Sequence, residues 1–243
     1  MPEALTPQVD LIVLAGGRGS RLGGAVKPAV EVAGRTLLSR VLDARTLARR
    51  VVVVGPASAR AAAGPEAAGV LWALEDPPFG GPVAGIAAGL AALAAPGSAP
   101  AAGAPADAPA DAPAEWLLVL ACDLPWAEAA ASTLVAALAD RPHSNCAGTD
   151  ALDGLHLSDP DGHPQWLAGL YRASALRDAA ARLGPAVNGA SMRALLSRLR
   201  LGGVRDESGS GRDVDTWQDV EWSTALLSGP SPVSTTPPRS DTQ

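Results

Sequence analysis

With 243 residues the chain can bury one substantial hydrophobic core or two small ones, and 47% hydrophobic against 18% charged residues excludes a chain too polar to fold. A net charge of −6 argues against a nucleic-acid partner, because backbone phosphates repel an acidic surface without a basic stripe. Cys122 and Cys146 allow neither a disulfide framework nor a four-thiolate metal site; with no secretory signal and no bilayer-length apolar window, the expectation is a cytoplasmic protein without a membrane partner.

In chain order, Asp10–Ala15 reads as a strand covered on both faces, ending in a glycine-rich turn. Leu37, Leu38, Val41, Leu42 and Leu47 recur at helical spacing, predicting a helix over Thr36–Ala48 with Thr36 as a candidate N-cap. Val51–Val54 is a β-branched strand stopped by Gly55-Pro56, so strand, helix and strand form a βαβ unit with a parallel sheet and a right-handed crossover. Leu71–Leu74 predicts a further strand, Glu75–Pro82 a turn-rich loop and Val83–Ala95 a small-residue helix. Residues Pro96–Ala114 are low-complexity Pro/Ala sequence, expected to loop out of the core without dividing it. Trp116–Ala121 predicts a buried strand, Trp126–Ala139 a helix and Asn145–Thr149 a strand. Trp166–Tyr171 reads as a strand leading into a helix Ser174–Leu183, followed by helices at Ser191–Leu201 and Trp217–Leu227. The tail Ser228–Gln243 has the composition of a disordered segment, so one α/β domain over residues 1–227 is expected.

The strongest local signal is LAGGRGSRLGGAVKP, Leu14–Pro28. Closely spaced glycines after a buried strand let backbone N–H groups converge on an anion, and Arg21 and Lys27 add donors suited to a triphosphate. An isolated glycine pair would read as a tight turn; Gly16, Gly17, Gly19, Gly23 and Gly24 among Arg18, Arg21 and Lys27 favour phosphate binding. This is no Walker A loop, since Lys27 stands between Val26 and Pro28. A dinucleotide fingerprint fails at Leu22, and Gly55 stands where its ribose-binding acid would follow the second strand.

Leu14-Ala15-Gly16-Gly17, Arg21, Gly23 and Lys27 together resemble the LAGGxxxRxG…K signature of the MobA-like nucleotidyltransferases, although Val26 replaces an acid common before the lysine in guanylyltransferases. The resemblance implies a Rossmann-like three-layer α/β fold with a mostly parallel sheet, of the nucleotide-diphospho-sugar transferase type. It implies that Leu14, Ala15, Gly16 and Gly17 hold the nucleotide while Arg21 and Lys27 neutralise charge during transfer.

Asp123 follows a strand at the carboxyl edge expected of α/β ligand sites, where it could hold Mg²⁺ or cap a helix. Its surroundings, Ala121–Pro125, resemble the family's metal-binding CDxP segment, implying a metal-binding and catalytic carboxylate; Cys122 reads as a buried small side chain. Gly80, Gly81 and Pro82 resemble the family's GGPLAGI segment beside the base, where Asp76 could pair with guanine. Gly211–Trp217 resembles a closing D-[IV]-D-T-P-E-D-L segment, leaving Asp215 as a second metal ligand or a helix cap. Gln165 is a candidate acceptor-side contact; Asn188, Ser191 and Arg193 could receive an acceptor phosphate or serve as caps and solvated groups. His143, His156 and His163 show no zinc spacing and read as scattered surface residues.

The implied reaction is Mg²⁺-dependent transfer of GMP from GTP to the phosphate of molybdopterin or another small phosphorylated acceptor, releasing pyrophosphate, by a monomer or weak homo-oligomer. GTP is favoured over CTP by Gly16-Gly17, where related cytidylyltransferases more often read LAAG. Cytidylyl transfer, sugar-phosphate nucleotidyl transfer and non-catalytic nucleotide binding are the alternatives.

Overall fold

The computed structural model describes residues 8–16, 22–95, 114–141 and 152–229. Strand β1 (Val9–Leu14) is buried along its whole length, between parallel β4 (Val51–Val54) and β6 (Trp116–Ala121). Alternate residues enter opposite cores. Leu11, Val13, Val51, Val53, Leu118 and Leu120 pack on one side; Ile12, Leu14, Val52, Val54, Leu117 and Val119 pack on the other. With both faces covered, these strands need no polar alternation, hence their unbroken apolar runs. Asp10 is the exception, buried and paired with Arg50, whose guanidinium also donates to the Leu93 carbonyl at 2.9 Å.

One face of the sheet is covered by α1 (Leu37–Val41), α2 (Ala57–Ala62) and α4 (Ala127–Ala139). The other carries α3 (Pro82–Ala94), α5 (Ala173–Leu183) and α6 (Met192–Leu196). Three layers result, as expected. The remaining strands of this sheet are β5 (Leu71–Ala73), β7 (Gly154–Ser158), β8 (Pro164–Arg172) and β9 (Leu201–Arg205), in the order β5-β4-β1-β6-β8-β7-β9. Neighbours run parallel from β5 through β6, β8 is antiparallel to both β6 and β7, and β9 is parallel to β7. A separate hairpin joins β2 (Glu31–Val32) to β3 (Arg35–Thr36) through Ala33-Gly34, both at positive φ as a two-residue turn requires. Leu22, Val30, Val32 and Leu37 pack with Val214 and Val220 in a third cluster, which docks α7 (Trp217–Leu227) beside the first loop.

Several expectations need correction. The helix expected over Thr36–Ala48 is α-helical only to Val41 and continues as a 3-10 helix, Leu42–Leu47. There the Thr46 hydroxyl donates to the Asp43 carbonyl, an interaction that competes with regular helix bonding. Thr36 does cap it, accepting from the Ser39 N–H at 3.1 Å. The helix expected over Ser191–Leu201 ends at Leu196, and Leu201 opens β9 instead. Gly202 is a poor helix former, and its missing side chain lets β9 lie close to β7: a Cβ there would come within 2.9 Å of Leu152 and Leu155. Strand β7, the hairpin and α2 were not expected. The strand expected at Asn145–Thr149 lies outside the described residues, as do Pro96–Pro113 of the insertion and the tail beyond Gly229.

Candidate functional site

The parallel strands set their carboxyl ends level, because Leu14 is in register with both Val54 and Ala121. Backbone bonds carry the register into the loops: Ala15 N–H donates to the Val54 carbonyl at 2.8 Å and Cys122 N–H to the Leu14 carbonyl at 3.0 Å. Gly55 permits the close approach, since a Cβ there would lie 2.9 Å from the Ala15 carbonyl oxygen. That packing need explains a glycine where a dinucleotide site would place its acid.

Asp123 leaves the end of β6, and its backbone carbonyl accepts from Val214 N–H at 2.9 Å. Val214 is fully buried in the third cluster, so the flanking Asp213 and Asp215 are directed away from it. The result is a group of three carboxylates, Asp123, Asp213 and Asp215, whose ligand oxygens all lie within 4.8 Å of one another. Lys27 reaches this group from the turn Lys27–Ala29, with Nζ 2.7 Å from Asp123 Oδ2 and 2.6 Å from Asp215 Oδ1. Burial alone would lower the Lys27 pKa, but the adjacent Asp123 and Asp215 carboxylates outweigh it and raise it. Asp213 is shifted up, by desolvation first and then by repulsion from Asp123 and Asp215.

One lysine does not neutralise three carboxylates, and Asp123 Oδ1 is buried without a hydrogen-bond partner among the described residues. The donor set is all hard oxygen. These features fit a divalent cation of the Mg²⁺ or Ca²⁺ class better than a soft metal. Cys122 lies beside the group but is buried, and burial pushes its thiol up, so it suits packing rather than chemistry.

The capping alternative for Asp215 falls to its neighbour. Thr216 is the N-cap of α7, in a reciprocal capping box with Asp219, and Asp215 turns its carboxylate to Lys27 instead. Asp213 was missed by sequence reasoning, although the Asp-Val-Asp alternation held the signal. Asp206 was missed too. Buried at the end of β9, it accepts from Ser208, Ser210 and Gly211 and so ties down the loop that delivers Asp213 and Asp215. Burial opposes its ionisation, but these donors outweigh burial and lower its pKa.

A cleft of about 360 Å³ opens next to Asp123, lined also by Leu14, Gly16, Glu75, Phe79, Gly81, Pro82 and Leu167. Leu14, Gly16, Gly81 and Pro82 thus line one cleft. Ala15 is buried behind the wall, and Gly80 packs against the 187–189 turn, its carbonyl accepting from Gly189 N–H at 2.7 Å. Asp76 is exposed and does not line the cleft; the buried acid one residue earlier, Glu75, does. Gly17 and Arg21 lie outside the described residues. Gln165 is half-buried on β8, beside the register shift that interrupts its pairing with β7, and does not line the cleft. Asn188 stands beside Gly80, where an added Cβ would meet its Oδ1 at 2.7 Å. Ser191 caps α6 through Ala194 N–H, and Arg193 is exposed. His163 joins Asp159 and Asp161 in an exposed second acidic group in the β7–β8 turn, a proximity the histidine spacing did not suggest. Among the described residues no helix is long and apolar enough to cross a membrane.

Comparison with known proteins agrees with this fold. The MobA-like NTP transferase domain matches residues 11–202. The chain is 54% identical over 43 residues to the molybdenum cofactor guanylyltransferase of Rhodopseudomonas palustris strain BisB5, a match spanning 18% of this chain and only 20% of that relative. Among solved structures, the 4-diphosphocytidyl-2C-methyl-D-erythritol synthase of Anaerococcus prevotii is similar with a TM-score of 0.59 at 13% identity, covering 92% of this chain and 97% of that one. A homologue of Mycobacterium tuberculosis Rv0371c from Mycobacterium sp. strain JC1 also gives 0.59, at 19% identity over 90% and 96% of the two chains. At these identities the structural likenesses establish the Rossmann-like nucleotidyltransferase fold. With most of its length matched by the family, the chain belongs to the MobA-like NTP transferase domain family.

Proposed function

We propose that the chain transfers a nucleoside monophosphoryl group from a nucleoside triphosphate to a phosphate on a small acceptor. An acceptor phosphate oxygen forms a bond to the α-phosphorus, the bond from that phosphorus to the α–β bridging oxygen breaks, and pyrophosphate leaves. The observation that carries this reading is Lys27 in contact with both Asp123 and Asp215 beside the cleft lined by Gly16 and Gly81.

Asp123, Asp213 and Asp215 would hold Mg²⁺, which when bound supplies charge to screen the phosphate oxygens. Lys27 presents a held cation to the same region, and the glycines lining the cleft permit close backbone approach to the nucleotide. An acceptor phosphate is already anionic, so no strong protein base is required. Alignment and charge neutralisation suffice. At the base edge, Glu75 takes the place expected of Asp76 as the carboxylate facing the cleft, and it can accept from the amino group of cytosine or guanine.

Cytidylyl transfer to a sugar-type phosphate has the broader support, because the likeness to a diphosphocytidyl-methylerythritol synthase extends over 92% of the chain. Guanylyl transfer to molybdopterin is favoured by Gly16-Gly17 and by the 43-residue match to a guanylyltransferase. The deciding experiment measures pyrophosphate release from each NTP with Mg²⁺ and either methylerythritol phosphate or molybdopterin. CTP-specific release with the former selects cytidylyl transfer, GTP-specific release with the latter selects guanylyl transfer, and no release from any NTP with either acceptor overturns both.

A further inference from the structure

Most of the described arginines have a partner in the fold. Arg35, Arg50 and Arg172 each meet a carboxylate, and Arg40 and Arg45 donate to backbone carbonyls. Residues 174–200 differ. They hold Arg177, Arg182, Arg193, Arg198 and Arg200 against a single acid, Asp178, within a chain of net charge −6. Arg200 is held by Asp153. Arg182 and Arg198 are exposed and have no ion-pair or hydrogen-bond partner among the described residues, although Asp178 stands one turn before Arg182 on α5.

Both arginines line one hollow. It measures about 350 Å³ between α5 and α6, with Ala179, Leu183, Ala194 and Leu195 also in its lining and no acid there among the described residues. Ala179 and Leu195 belong to the buried core under these helices, so the hollow has an apolar floor and a cationic rim. It shares no lining residue with the cleft beside Asp123. The last turn of α5 favours a cation such as Arg182. That does not account for Arg198, which lies just beyond the C-cap of α6, a helix of only five residues. Two like charges on one hollow repel each other, and an anion between them removes the repulsion.

We propose that this hollow is a second ligand site, which takes a small organic phosphate. The phosphate bridges Arg182 and Arg198, and the carbon portion rests on Leu183 and Leu195. Guanidinium forks match phosphate oxygens in both charge and geometry. The apolar floor gives a carbon skeleton a surface that a bare inorganic ion cannot use, and the volume is that of a small-molecule site. This site is separate from the transfer chemistry of the cleft and stands or falls without it.

The test measures binding of phenyl phosphate and inorganic phosphate by titration calorimetry in a low-salt chelating buffer, together with unliganded thermal melts. Three proteins are compared: wild type, the double variant Arg182→Gln with Arg198→Gln, and Lys27→Met. Wild type should bind phenyl phosphate about fivefold or more tightly than inorganic phosphate, because only the former covers the apolar floor. The double variant should bind phenyl phosphate about tenfold or more weakly, the scale of losing charge-assisted hydrogen bonds, and should melt as wild type does. Lys27→Met should bind it within about twofold of wild type, since that lysine lies in the other cleft. Absence of phenyl phosphate binding in wild type overturns the inference, as does unchanged binding in the double variant. Equal affinity for the two phosphates removes the role of the floor, loss of binding in Lys27→Met moves the anion to the cleft, and a double variant that melts well below wild type makes the arginines structural; each also overturns it.

Discussion

Lys27 and Asp215 stand 188 residues apart in the chain, yet the lysine Nζ donates to Asp215 Oδ1 at 2.6 Å. The contact exists because Val214, next to Asp215, is buried with Leu22, Val30 and Leu37 around the turn that carries Lys27. Apolar packing between the two ends of the fold therefore sets the charge geometry of the site. Lys27 also touches Asp123, so one ammonium spans two of the three carboxylates.

Replacing Lys27 with Met removes the cation held among three carboxylates. Nucleotidyl transfer should fall on the order of 100-fold, the scale of losing one preorganised electrostatic contact. Without divalent metal the variant should also melt below wild type, and added Mg²⁺ should narrow that gap. Steady-state kinetics and thermal melts with and without Mg²⁺ check both statements; a variant with near-normal turnover contradicts the role assigned to Lys27.

Asp123→Asn should fold but lose most metal-dependent turnover, because it neutralises the carboxylate with the buried, unpartnered oxygen. Asp215→Asn should weaken Mg²⁺ binding as well, and Asp213→Asn less so, since Asp123 and Asp215 are the two carboxylates fixed in place by Lys27. Mn²⁺ titration followed by electron paramagnetic resonance ranks the three variants. Asp123→Asn binding Mn²⁺ as wild type does would remove it from the site.

Asp213 supplies a pH test. Its carboxyl is shifted up in the folded protein, so folding is favoured while the group is protonated, and that contribution is lost as pH rises through its folded-state pKa. In metal-free protein at pH about 7, Asp213→Asn should therefore raise the melting temperature, and below the ordinary value of 3.8 the gap to wild type should close. Melts across pH in a chelating buffer measure it. A gap that widens toward acid would carry the wrong sign.

The Asp10–Arg50 pair lies between β1 and the end of α3, with both side chains buried. Removing one partner strands the other charge, so Asp10→Ala or Arg50→Ala should lose about 3–5 kcal/mol in urea denaturation. A double apolar replacement, Asp10→Leu with Arg50→Met, should lose much less, because no charge is left unpaired. Additive losses in the double variant would refute a coupled buried pair.

Strands β1, β4 and β6 were legible because burial on both faces leaves its trace within a few consecutive residues, as did the Thr36 cap and the pairing of Gly81 with Pro82 before α3. The position of the acid after β6 was legible for the same reason, since it follows a strand end. Edge strand β9 was not, because Leu201–Arg205 becomes a strand only by pairing with β7, and its glycines reveal nothing of that partner.

Local residue order therefore determined the central strands and the residue types at their carboxyl ends, since those depend on neighbours a few positions apart; the level of the ends follows from pairing between β1, β4 and β6. Tertiary packing alone decided that Glu75 rather than Asp76 faces the cleft, that Asp213 joins Asp123 and Asp215, and that Lys27 bridges two of them. The reason for the charged group is physical: Val214, between Asp213 and Asp215, is buried with Leu22, Val30 and Leu37 beside the Lys27 turn, and those partners come from a distant part of the chain.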